Sequence, residues 1–87
     1  MGFRYRPGLG LPYERQGEIY FSSRNYRMQS RRTREKIQRL CRECGGEHWE
    51  ALFQAVTTGE ESGAICRRYF ISRATLYRMI RSYYRGF

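Results

Sequence analysis

The stretch CRECGGEH, residues 41–48, brings Cys41, Cys44 and His48 close together in the chain, and Cys66 follows farther on. Three thiols and one imidazole are a full donor set for a tetrahedral zinc ion, and a metal would stabilise a short basic chain. The spacing also admits a simpler reading. Cys41 and Cys44 fall in helical register with Ile37 and Leu40, so burial accounts for them without a metal, as it does for many free cysteines. Between His48 and Cys66 lie 17 residues, which is not a half-site spacing. Cysteine nucleophilic catalysis would need a base within hydrogen-bond reach and a pocket, and the single histidine falls on the first turn of an expected helix. There is no phosphate-cradling glycine loop, no carboxylate pair and no acidic metal cluster, so the chain reads as non-enzymatic, with no required cofactor.

The other chemistry on offer is cationic. Lys and Arg number 17 against 8 acidic residues, for a formal charge of +9. All the cations but Lys36 are arginine. Arginine presents a flat fork of donors that matches phosphate oxygens and guanine edges, whereas lysine is a hydrated point charge. Nucleic acid is the partner this bias implies. No apolar run approaches the roughly 20 residues of a membrane span, and no basic start leads into an apolar secretory core. An odd cysteine count argues against a closed disulfide framework. The expected setting is therefore cytoplasmic and nucleoid-associated, with no membrane partner.

At 87 residues the chain makes one small domain, and chains this short bury only about 60% of their unfolded surface. Residues 1–29 hold both prolines and scattered Gly, Arg and Tyr without a sustained period. They read as a basic, aromatic-rich arm, disordered or loosely docked, in which GEIYFSS has the look of a short strand. From Thr33 the pattern turns helical. Ile37, Leu40, Cys41 and Cys44 recur at i, i+3, i+4 and i+7, and Gly45-Gly46 stops the helix. Trp49, Leu52, Phe53 and Val56 repeat the spacing, with Glu47 and Glu50 where the helix dipole favours negative charge. TGEE, residues 58–61, has the form of a capping box between Thr58 and Glu61, which starts a third helix near Gly59. That helix buries Ile65, Cys66 and Tyr69. Ser72 then caps a fourth, residues 73–84, with Leu76, Met79, Ile80 and Tyr83 inward. The fold class is all-α: four helices across residues 30–87, carrying a helix-turn-helix at about 59–84, behind a flexible basic arm.

Two short helices joined by a tight turn, the second of them basic, meet the requirements of a helix-turn-helix. Steeply crossed helices need a small residue at their closest approach and apolar plugs on either side. Counting from Ser62, the fifth position is Cys66, and the fourth, eighth, tenth, fifteenth and eighteenth are Ile65, Tyr69, Ile71, Leu76 and Met79. Outward positions on the second helix are Ser72, Arg73, Ala74, Tyr77, Arg78 and Arg81. The stretch AICRRYFISRATLYRMI resembles the helix-turn-helix of insertion-sequence transposases and resolvase/invertase recombinases. The resemblance covers under a third of the chain, and bacterial transcription regulators share the signature. It implies major-groove DNA binding by the helix beginning at Arg73. One departure is Phe70, at the turn position usually filled by glycine, where a bulky residue in the left-handed region is an outlier. A wider or reshaped turn is expected there.

On that reading Arg73 and Arg78 face guanines, Ser72, Thr75 and Arg81 sit on phosphates, and Arg67 and Arg68 grip the backbone from the preceding helix. Arg4 and Arg6 would enter an adjacent minor groove. The chain would act as a small transcriptional regulator or a mobile-element accessory factor on double-stranded DNA. A single recognition helix reads few base pairs, so a homodimer or a partner protein is expected. The competing expectation is a zinc-stabilised or basic adaptor for RNA or an acidic protein.

Overall fold

The computed structural model describes residues 3–87. Among them the only regular structure is helical, in five α-helices: α1 (Tyr13–Arg24), α2 (Arg31–Gly45), α3 (Trp49–Thr58), α4 (Ser62–Tyr69) and α5 (Arg73–Gly86). Short 3-10 turns lie at Pro7–Leu9, Tyr26–Met28 and Gly46–His48. None of these helices is long and apolar enough to cross a membrane.

The four helices expected over residues 30–87 are present. In α2, the Ser30 hydroxyl accepts from the Thr33 amide at 3.2 Å, satisfying one of the amides a helix start leaves unpaired. Ile37, Leu40 and Cys41 are buried along its stripe, while Cys44 is half-buried. Helix α3 contributes Ala51, Leu52 and Val56 to the core. Trp49 and Phe53 are only half-buried: Arg42 lies over the indole at 4.9 Å, and Tyr26 meets Phe53 edge-on at 5.1 Å. Helix α5 supplies Leu76, Met79, Ile80 and Tyr83. It runs antiparallel to α2, whose last residues Cys44 and Gly45 border Thr75 and Met79, while Lys36 reaches over the Phe87 ring at 4.3 Å.

The capping box does not form. Gly59 ends α3 in the left-handed region at φ 75°, and the Thr58 hydroxyl accepts from the Glu60 amide at 3.1 Å. Glu61 occupies the N-cap of α4 with no side-chain bond. Gly59, Glu60 and Glu61 form a three-residue connection in place of the box, so α4 starts at Ser62.

The expected arm is folded from Phe3 onward, while Met1 and Gly2 lie outside the described residues. GEIYFSS is the second half of α1, not a strand. The buried face of α1 is Gln16, Ile19 and Ser23, a helical spacing in which two of the three residues are polar. Their polarity is spent on hydrogen bonds. Ser23 donates to the Ile19 carbonyl at 2.7 Å, leaving its oxygen to accept from the buried Tyr83 hydroxyl at 2.6 Å. Gln16 holds the strap, residues 3–12, across α1. Its carbonyl accepts from the Arg6 amide, and its amide nitrogen donates to the Arg6 and Leu11 carbonyls, all at 2.9 Å. With Leu9 buried as well, the N-terminal segment is a fifth wall of the bundle.

Candidate nucleic-acid interface

The α4–turn–α5 unit is built from a C-cap and an N-cap placed back to back. The Phe70 amide and the Ile71 amide both donate to the Cys66 carbonyl, the latter at 3.1 Å. The Ile71 bond is the 6→1 bond of a Schellman motif and the Phe70 bond is the 5→1 bond of the simpler left-handed cap, and both require a left-handed residue at position 70. Phe70 takes that conformation itself, at φ 58° and ψ 45°. The turn is therefore not reshaped to spare the phenylalanine; the residue accepts the glycine geometry, with its ring 92% exposed. Two residues on, the Ser72 hydroxyl accepts from the Thr75 amide and donates to the Thr75 hydroxyl, both at 3.0 Å. These caps fix the direction in which α5 leaves the turn.

Along α5, Arg73, Ala74, Tyr77, Arg78 and Arg81 are exposed, as is Ser72 before it, while Thr75 is half-buried. Arg78 leans toward the Thr75 hydroxyl at 3.4 Å. The Arg73 guanidinium turns back toward the start of α4. A methyl group added at Gly63 would meet Arg73 Nη2 at 2.9 Å, and Arg67 Nη1 and Glu61 Oε1 each at 3.4 Å. Arg67 and Arg73 thus share one patch across the two helices, with Glu61 at its edge.

Arg68 stands apart. Its two terminal nitrogens donate to the two carboxylate oxygens of Glu60, each at 2.6 Å, a fork-on-fork pair. Those hydrogen bonds hold the Glu60 carboxyl below its ordinary pKa. In this structure the residue ties α4 to the α3–α4 connection.

Tyr77 is 38% exposed. Its hydroxyl lies against Gly8, where a methyl group would overlap it. On the same side, Arg85 donates to the Leu9 carbonyl at 3.2 Å. The strap therefore flanks the exposed face of α5. Arg4 and Arg6 are exposed on it, and the Gln16 bonds fix the Arg6 backbone beside α1.

The sulfur ligands are not gathered. Cys41 and Cys66 are buried, Cys44 is half-buried, and His48 lies in the 3-10 turn before α3. Among the described residues no three His, Cys, Asp or Glu side chains converge on a common point. Burial, with Cys44 adding to it, pushes the Cys41 thiol up to about 12.

Gln16, Arg24 and Gly8 complete the architecture around α5 and carry no motif. The one available clue is the helical spacing of Gln16, Ile19 and Ser23, and a search for apolar stripes passes over it. Comparison of the chain with protein-family models, curated proteins and solved structures finds no match. The surface around α5 is thus the basis for a functional reading.

Proposed function

We propose that the chain binds double-stranded DNA sequence-specifically, with α5 lying in the major groove, and acts without catalysis as a small transcriptional regulator or mobile-element accessory factor. The observation that carries the reading is the exposed Arg73–Ala74–Tyr77–Arg78–Arg81 edge on a helix whose exit direction is fixed by back-to-back caps. A solvated helix needs no such edge, since Glu and Lys would serve solubility equally well. Arg78 is the principal guanine reader, because bidentate arginine to O6 and N7 discriminates bases by about 1–3 kcal/mol. Arg73 reads beside it once it swings from the Gly63 side of α4 into the groove. Arg67, Ser72, Thr75 and Arg81 hold phosphates, and Arg68 keeps α4 in place. Nucleoid association follows from this activity, and the short reading helix calls for a second copy or a partner protein.

Selection of bound duplexes from a random pool tests the reading. One enriched motif is expected, and a palindromic one would identify a dimer. Arg78→Ala should abolish preference for that motif, whereas Arg67→Ala should weaken all duplexes alike and reduce the salt slope by about one. Equal affinity for every duplex in the wild type would overturn it.

A further inference from the structure

A cleft of about 290 Å³ opens between the strap, the α3–α4 connection and the inner edge of α5. Arg4, Arg6 and Arg24 line it, and Glu60 is the one carboxylate among its walls. Both Glu60 oxygens are already taken by Arg68. Among the described residues none of the three cleft arginines has a carboxylate partner. Positive charge is therefore gathered in a concave site with nothing to balance it, the arrangement in which low-dielectric walls concentrate a field.

Two of these arginines are positioned in advance. Arg24 donates to the Tyr20 hydroxyl at 2.7 Å and lies over that ring at 5.3 Å. Its guanidinium rests against Gly59, where a side chain would collide with it. Arg6 is held at its backbone by the buried Gln16 amide. Both lie near enough to Tyr84 to oppose the rise that burial gives its phenol. Val56, Ile80 and the ring of Tyr84 give the cleft an apolar side, while Gln16 and Ser62 also line it.

From these positions we propose that the cleft binds an oxyanion, phosphate or carboxylate, carried on a small aromatic or apolar body. The guanidinium forks of Arg24 and Arg6 take the oxygens, and the body lies on Val56, Ile80 and Tyr84. The volume sits at the small end of ligand sites, which limits the body to about one ring. The same chemistry has two sources, a free small molecule or a phosphate and sugar of DNA flanking the strap. The oxyanion site itself does not depend on the DNA reading.

Phenyl phosphate and inorganic phosphate, titrated separately into the full chain and followed by amide chemical shifts, test it. Phenyl phosphate should saturate with a Kd of about 1 mM or tighter, and about tenfold more tightly than inorganic phosphate. The shifts should centre on Arg6, Arg24, Gly59 and Tyr84. Arg24→Gln should weaken binding at least tenfold (about 1.4 kcal/mol), and Arg32→Ala, exposed on α2, should leave it unchanged. Arg6→Gln, which leaves the backbone bonds to Gln16 intact, should weaken it too and guards against a folding defect in Arg24→Gln. Shifts that grow without saturating, that spread over all arginines, or that persist in both cleft variants would overturn the proposal. If the anion binds together with the selected duplex, its source is a free small molecule; if the duplex displaces it, the source is DNA phosphate. Without any selected duplex the DNA reading falls, and the titration still decides the cleft.

Discussion

The α4–α5 pair and the strap with α1 border one core, yet they are fastened to it by different means. Ile65, Cys66, Leu76, Met79 and Ile80 hold α4 and α5 through apolar contact, a force that is non-directional and tolerates modest repacking. The strap and α1 bury Leu9 and Ile19 but rely on Gln16 and Ser23, whose hydrogen bonds impose one register. A part that meets a partner through an outward face needs only its inward face greasy. A strap lying across two helices buries little area, and directional bonds make its seat specific. If both halves are truly fastened, each should yield to the substitution that attacks its own kind of attachment.

The sharpest way to break the comparison is at Ile19. It is fully buried, as is Ile37 in α2, and truncating either side chain to alanine should cost about 2–5 kcal/mol. Denaturant unfolding of Ile19→Ala and Ile37→Ala should give losses of similar size. A loss under about 0.5 kcal/mol at Ile19, the range of surface substitutions, would return residues 3–24 to the status of a loose arm. Both halves would then no longer share a core.

Next in size is the clasp. Gln16→Leu keeps the apolar bulk but leaves the Arg6 amide and the Arg6 and Leu11 carbonyls unpaired. The expected loss is about 1–3 kcal/mol, with faster hydrogen exchange at the Arg6 amide. Gln38→Leu, on the exposed face of α2, gives up only a solvent-accessible hydrogen bond to the Tyr26 hydroxyl; it is the control and should stay within about 0.5 kcal/mol. Equal effects at the two glutamines would mean that the strap owes its seat to Leu9 alone.

The different fastenings also explain what could be read in the chain beforehand. Helices α2 to α5 were legible because burial there follows apolar spacing: Ile37, Leu40 and Cys41, then Leu76, Met79 and Ile80, stand where a stripe of that period puts them. The outward residues of α5 followed from the same geometry. Helix α1 was illegible because its buried stripe is Gln16, Ile19 and Ser23, and a polar side chain signals burial only once its partner is known. The carboxylate partner of Arg68 was hidden for a related reason. Glu60 lies eight residues away, farther than a helical pair, and it stands outside α4 beyond the extended Glu61. The Thr58–Glu61 box yielded to Gly59, whose left-handed conformation ends α3 before the box can close.

Phe70 offers the smallest effect and the one of opposite sign. A non-glycine residue in the left-handed region costs roughly 1–2 kcal/mol, and the exposed ring recovers little of that by burial. Glycine removes the strain but adds about 0.5–1 kcal/mol of chain entropy to the unfolded state. Phe70→Gly should therefore stabilise the protein by about 0.5–1 kcal/mol, raising Tm by roughly 2–8 °C for a domain of this size. The bonds from the amides of residues 70 and 71 to the Cys66 carbonyl stay in place, so α5 keeps its direction and the selected duplex should bind unless the ring itself touches DNA. A stabilised variant with weakened binding would add Phe70 to the contact surface; a destabilised one would mean that its ring, not the helix cap, holds the turn.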